Sequence, residues 1–160
     1  MFNLPEWDKK VIYCPDFAKP KLDYKEFSGM FIDKKAASLL LADKSEFNTR
    51  LFPALLNTGN YFIDVKEFLK CAVEKKNAEV YAACTIALVY LWLMAGNRLY
   101  IVNGLEYNHR LHKESYWVKT TKETEEIVKR IKDALLKNYE YKFEKPSFRL
   151  RIKRFLRKDL

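Results

Sequence analysis

Residues 80–97, VYAACTIALVYLWLMAGN, form the longest run in this chain without a charged side chain. A helix that crosses a bilayer needs roughly 20 mostly apolar residues, whereas a shorter helix that is apolar on every side belongs inside a globular core. Here alanines, Thr85, Tyr81, Tyr90 and Cys84 dilute the run, and Gly96-Asn97 is the kind of stop that helix C-termini use. Lys75 and Lys76 precede it and Arg98 and Arg110 follow, so flanking charge does not orient it in a membrane. The run reads as a buried central helix, and a membrane is not an expected partner.

At 160 residues the chain is long enough to close one core without staples, and its 49% hydrophobic and 15% aromatic content excludes a disordered chain. Cys14, Cys71 and Cys84 are odd in number and lack CxxC spacing, which argues against a disulfide framework and a zinc ribbon. The N-terminus, MFNLPEWDKK, has acids and a proline where an export signal needs a basic end and an apolar run. A reducing, cytoplasmic setting is the expectation.

The net charge is +9, and it is unevenly spread. Residues 1–79 carry 13 basic and 12 acidic side chains, whereas residues 98–160 carry 17 and 9. Such asymmetry points to an anionic partner such as nucleic acid.

In chain order, residues 9–14 (KKVIYC) read as a strand stopped by Pro15. Tyr24, Phe27 and Phe31 recur at helical spacing. A firmer helix follows Asp33 as N-cap, with an apolar stripe from Ala36 to Leu41. Another covers residues 46–56, with Pro53 inside it. A third starts at Asp64, where Asp64 and Glu67 have capping-box spacing and Val65, Phe68, Leu69, Ala72 and Val73 form the core-facing stripe. The pentad Phe31-Ile32-Asp33-Lys34-Lys35 resembles Phe62-Ile63-Asp64-Val65-Lys66, a hint of a repeated helical unit.

After the central helix the period changes. Residues 98–102 and 105–111 flank Asn103-Gly104, a hairpin signal because Asn-Gly takes the positive φ angles of a tight turn. That register sets Tyr100 opposite Tyr107 and Arg98 opposite His109. Residues 115–120 read as a third strand. Thr120 and Glu123 then open a helix with the stripe Ile127, Val128, Ile131, Ala134 and Leu135. The segment YEYKFEK from Tyr139 reads as a last strand, and Pro146 separates it from the basic tail SFRLRIKRFLRKDL.

The expected fold is therefore α+β: a helical N-terminal half with a buried central helix, then a small antiparallel three-stranded sheet backed by a C-terminal amphipathic helix. Residues 1–146 form one domain and residues 147–160 a basic tail or terminal helix. The order helix, three strands, helix over residues 79–138 resembles the double-stranded-RNA-binding domain in topology. Its second helix opens Lys122-Glu-Thr-Glu-Glu126, acidic where that family is basic, and no residue role is carried over.

The tail is the strongest functional signal. Arg149, Arg151, Lys153, Arg154, Arg157 and Lys158, interleaved with apolar residues and joined by Arg110 and Lys113, suit phosphate neutralisation. His109 and His112 lack the HExxH spacing of a zinc helix, so no metal is expected. With no GxGxxG, GxxxxGK[ST] or GxSxG and only four glycines, no cofactor is expected either. Cys71 and Cys84 read as small core fillers. Three functional readings follow. The first is a non-enzymatic accessory or regulatory protein that binds nucleic acid or a ribonucleoprotein through its basic half. The second is a metal-independent endoribonuclease with His109 as base and Arg98 as phosphate stabiliser. The third is an assembly or inhibitor protein that buries aromatic surface against a partner chain or a second copy of itself.

Overall fold

The computed structural model describes residues 6–19, 21–57, 61–72, 80, 82–108 and 120–143. Among them are four strands, β1 (Val11–Lys19), β2 (Leu22–Asp23), β3 (Phe31–Ile32) and β4 (Arg98–Asn108). The five α-helices are α1 (Lys34–Ala42), α2 (Glu46–Asn57), α3 (Val65–Ala72), α4 (Cys84–Met94) and α5 (Thr121–Lys137). The sheet order is β2-β1-β4-β3. Strands β1 and β4 run parallel at its centre, with β2 antiparallel to β1 and β3 antiparallel to β4.

The uncharged run does become the buried helix. Helix α4 encloses Ile86, Ala87, Val89, Tyr90, Trp92 and Leu93. It ends in a Schellman turn: Gly96 takes φ +82°, its N–H donates to the Leu93 carbonyl, and the Asn97 N–H donates to the Trp92 carbonyl. No helix among the described residues is long and apolar enough to cross a membrane.

The sheet departs from the expected antiparallel three-stranded one. Residues 98–108 form one strand rather than a hairpin, because β1 supplies a parallel partner to both halves. Val11 to Pro15 pair with Arg98 to Val102, and Phe17 to Lys19 pair with Glu106 to Asn108. Between these runs Asn103, Gly104 and Leu105 stand opposite Asp16 alone, so Asn-Gly makes a bulge, with Gly104 at φ +72°. Pro15 does not end β1; it sits where the register shifts, the position at which a strand tolerates a missing donor. Of the expected third strand only Thr120 is among the described residues.

Other local expectations are corrected too. Residues 23–31 form the end of β2, a 3₁₀ turn (Lys25–Phe27) and the start of β3 rather than a helix, so three of the four strands lie in the half expected to be helical. Residues 139–143 are not a strand. Instead Tyr141 and Phe143 pack edge-on against Tyr90, whose Oη accepts the Tyr141 N–H at 2.7 Å. Thr120 takes the N-cap position of α5 but makes no side-chain cap bond; its hydroxyl lies 3.1 Å from that of Thr124. The stripe on helix α3 is met only in part. Phe68 packs on the core as expected, joined by Cys71, whereas Val65 and Leu69 are 62% and 55% exposed.

The α5 stripe and both aspartate caps match expectation. Ile127, Ile131, Ala134 and Leu135 are buried. Asp33 Oδ1 accepts from the Ala36 N–H at 2.8 Å and Asp64 Oδ1 from the Glu67 N–H at 3.0 Å. Residues from all five helices join Ile12, Cys14, Ala18, Ile32, Leu99 and Ile101 in the main core. The opposite face of the sheet holds a separate small cluster of Val11, Tyr13 and Val102, with Tyr100 and Leu105 beside it and, among the described residues, no helix residue in it.

The three thiols sit in different surroundings. Cys14 is fully buried, and desolvation drives its pKa far above the ordinary thiol range. Cys71 is half-buried and also shifted up, first by burial and then by the Glu67 carboxylate. Cys84 is exposed, not the core filler expected. A disulfide reagent added to native protein at neutral pH is expected to modify Cys84 first and Cys14 only on unfolding. Peptide mapping of the labelled sites checks this, and early labelling of Cys14 would contradict the buried β1.

Candidate nucleic-acid interface

Side chains alternate along a strand, so Ile12, Cys14 and Ala18 point into the helices and Tyr13 points to the other face of the sheet. Tyr13 pairs with Tyr100 of β4, and Tyr100 pairs with Phe31 of β3. On its other side Tyr13 forms an isolated antiparallel bridge with Phe62, its N–H and carbonyl both bonded to the Phe62 backbone at 2.9 and 3.0 Å. Directly paired residues share a face. Phe31, Tyr100, Tyr13 and Phe62 therefore make one row of aromatic rings across the sheet.

Within the row, ring centroids are 4.6 Å apart for Phe31 and Tyr100 and 6.1 Å for Tyr100 and Tyr13. Trp7 stacks on Tyr13 at 5.0 Å with planes 19° apart. Tyr13 Oη accepts the Asp8 N–H at 2.8 Å, which holds the Trp7 segment against the sheet. Tyr13 is thus covered, but Trp7, Phe31 and Phe62 remain 54%, 45% and 61% exposed. Cations stand over two rings, one of them at the end of the row. Arg98 lies 4.8 Å from the Phe31 ring centroid and Lys25 lies 5.3 Å from that of Phe17.

The resembling pentads build both ends of this row. In each, the Phe pairs with a central strand on the open face, the Ile packs inward, and the Asp caps the helix that follows. The same local sequence flanks the β1–β4 pair on its two sides.

A buried carboxylate braces the sheet next to the row. Asp16 is 1% exposed, and its Oδ2 accepts from the Gly104 N–H at 2.8 Å and from Ser28 Oγ at 2.9 Å. Its carbonyl accepts the Tyr24 N–H at 2.7 Å. One side chain thus ties β1 to the β4 bulge and to the turn before β3.

Of the residues singled out by sequence, Arg98 alone falls among those described. It opens β4, and its Nη2 is 3.2 Å from Asp8 Oδ2, an exposed ion pair. His109, Arg110, Lys113, Arg149, Arg151, Lys153, Arg154, Arg157 and Lys158 lie outside the described residues. The expected Arg98–His109 approach rests on the hairpin, and a continuous strand stands in the hairpin's place. No group of three or more His, Cys, Asp or Glu side chains able to hold a metal ion occurs among the described residues.

Sequence reasoning passed over Trp7, Tyr13, Phe31 and Phe62 as interface residues. The repeated Phe-Ile-Asp was a signal for Phe31 and Phe62 alone. No protein-family model, curated protein or solved structure matches this chain.

Proposed function

We propose that this chain is a non-enzymatic accessory or regulatory protein that binds nucleic acid, free or within a ribonucleoprotein, chiefly through cations of its C-terminal half. The observation that carries this reading is where the surplus charge falls. Outside residues 109–119 and 144–160 cations and carboxylates nearly cancel. Residues 109–119 hold Arg110, Lys113 and Lys119 against Glu114. Residues 144–160 hold Lys145, Arg149, Arg151, Lys153, Arg154, Arg157 and Lys158 against Glu144 and Asp159. Most of the +9 is therefore concentrated in two segments, a pattern that suits counterion release from a phosphate backbone.

Deleting residues 147–160 is expected to abolish retention on heparin and on RNA at about 0.15 M salt while leaving the thermal melt of the domain unchanged. The plot of log affinity against log salt should also become shallower, by about 0.7 on single strands and about 0.9 on duplex DNA for every phosphate that the shortened chain leaves unneutralised. Retention that survives the deletion would remove the tail as the binding surface.

A second reading, self-assembly, is favoured by Phe62, Val65 and Leu69, which are 61%, 62% and 55% exposed at and just before α3. Sedimentation of the intact chain separates the two: a monomer at micromolar concentration leaves nucleic-acid binding alone.

A further inference from the structure

Resting on the nucleic-acid reading above, we propose that the face of the sheet opposite the main core is a stacking platform for single-stranded nucleic acid. Phe31, Tyr100 and Trp7 offer ring surface to unpaired bases, and Arg98 meets the backbone phosphate at one end of the row. Burial alone does not account for these residues. The face already has its apolar cluster in Val11 and Val102, yet rings continue outward from it to both sheet edges, where Phe31 and Phe62 are 45% and 61% exposed. Contiguous exposed apolar surface of this kind marks a binding site.

Charge decides the occupant. Among the carboxylates bordering the face, Asp8, Glu106 and Glu67 are already bridged to Arg98, Lys19 and Lys70. Arg98 lies over the Phe31 ring at one end of the row, and Lys9 and Lys10 are exposed beside Trp7. Rings flanked by cations fit a ligand that alternates bases with phosphates, on a chain whose net charge is +9. Duplex bases stack on one another and offer no free ring face, so the platform selects single strands. The exposed Arg98–Asp8 pair is weak enough to exchange its carboxylate for a phosphate.

The test uses the full chain and a fluorescent 12-nucleotide oligouridine, with a duplex of equal length as competitor and heparin retention as the measure of charge-driven binding. Wild type is expected to prefer the single strand by about ten-fold or more, and its Trp7 emission, identified by its loss in Trp7→Phe, should be quenched on binding. Phe31→Ala and Phe31→Leu are each expected to weaken oligouridine binding by about five-fold or more, with heparin retention unchanged. Phe31 is half exposed, and Leu keeps the apolar bulk while removing the ring face, so folding does not confound the result. Equal affinity for duplex and single strand, or wild-type affinity in both variants, overturns the platform but leaves nucleic-acid binding standing. Failure of the wild type to bind any of the three ligands removes the underlying reading as well. If Phe31→Ala instead turns a sedimenting dimer into a monomer without affecting oligouridine, the face belongs to a second copy and the platform is refuted.

Discussion

Trp92→Ala is expected to lower stability by about 3 to 5 kcal/mol, the range for removing a large aromatic from a close-packed core. Trp92 is fully buried in α4, and its Nε1–H donates to the Arg98 carbonyl at 2.9 Å, linking the end of the central helix to the first residue of β4. The substitution therefore removes packing and also takes a part-buried hydrogen bond from the Arg98 carbonyl. Since a domain of this kind is stable by only about 5 to 15 kcal/mol, about a fifth or more of the total would go. In a urea titration the midpoint should fall with little change of slope. Trp92→Phe keeps a large ring but loses the N–H and part of the indole volume, so a smaller loss of about 1 to 3 kcal/mol is expected. A Trp92→Ala protein with the wild-type midpoint would mean that the uncharged run is not the centre of the fold.

Asp16→Ala is the second large effect. Its carboxylate sits between three pieces of chain, and without it the Gly104 N–H and the Ser28 hydroxyl lose their acceptor in a part-buried site. A hydrogen bond to a charged group contributes about 1.5 to 3 kcal/mol, so the loss of the pair should be about 2 kcal/mol or more. Asp16→Asn retains one acceptor oxygen and should be milder. Gly104→Ala tests the other side of the same contact. At φ +72° a Cβ is strained by about 1 to 2 kcal/mol although nothing lies within 4 Å of it, so the cost would come from backbone conformation rather than from collision. Hydrogen exchange of the amides of residues 103–106 should rise in all three variants. Asp16→Ala with wild-type protection there would refute the brace and the bulge it holds.

The bulge explains why the local sequence suggests a hairpin. A type I′ turn and this bulge both ask for positive φ at Gly104, so residues 103 and 104 look the same locally in either case. What separates them is whether residues 105–108 fold back on 98–102 or continue beside another strand. Only β1, about ninety residues earlier, answers that, by pairing on both sides of the bulge. For the same reason Pro15 looks like a stop: a missing donor ends a strand in a regular ladder and is tolerated at a register shift. The stripe on α3 is ambiguous in a different way. Val65-Leu69 and Phe68-Cys71 both have helical spacing, and periodicity says that a face exists without saying which neighbour lies opposite it.

Local chemistry alone determined a good deal. It established the α+β class, the buried helix with its Gly96 stop, the aspartate caps of α1 and α3, and the inward stripe of α5, because caps, periodicity and glycine conformations depend on residues within a turn or two. Only the tertiary structure decided that β1 and β4 lie parallel, that all five helices share one face of the sheet, and that Phe31, Tyr100, Tyr13 and Phe62 stand in a row. Those facts depend on backbone pairing between segments tens of residues apart, and pairing is what brings scattered rings to a common surface.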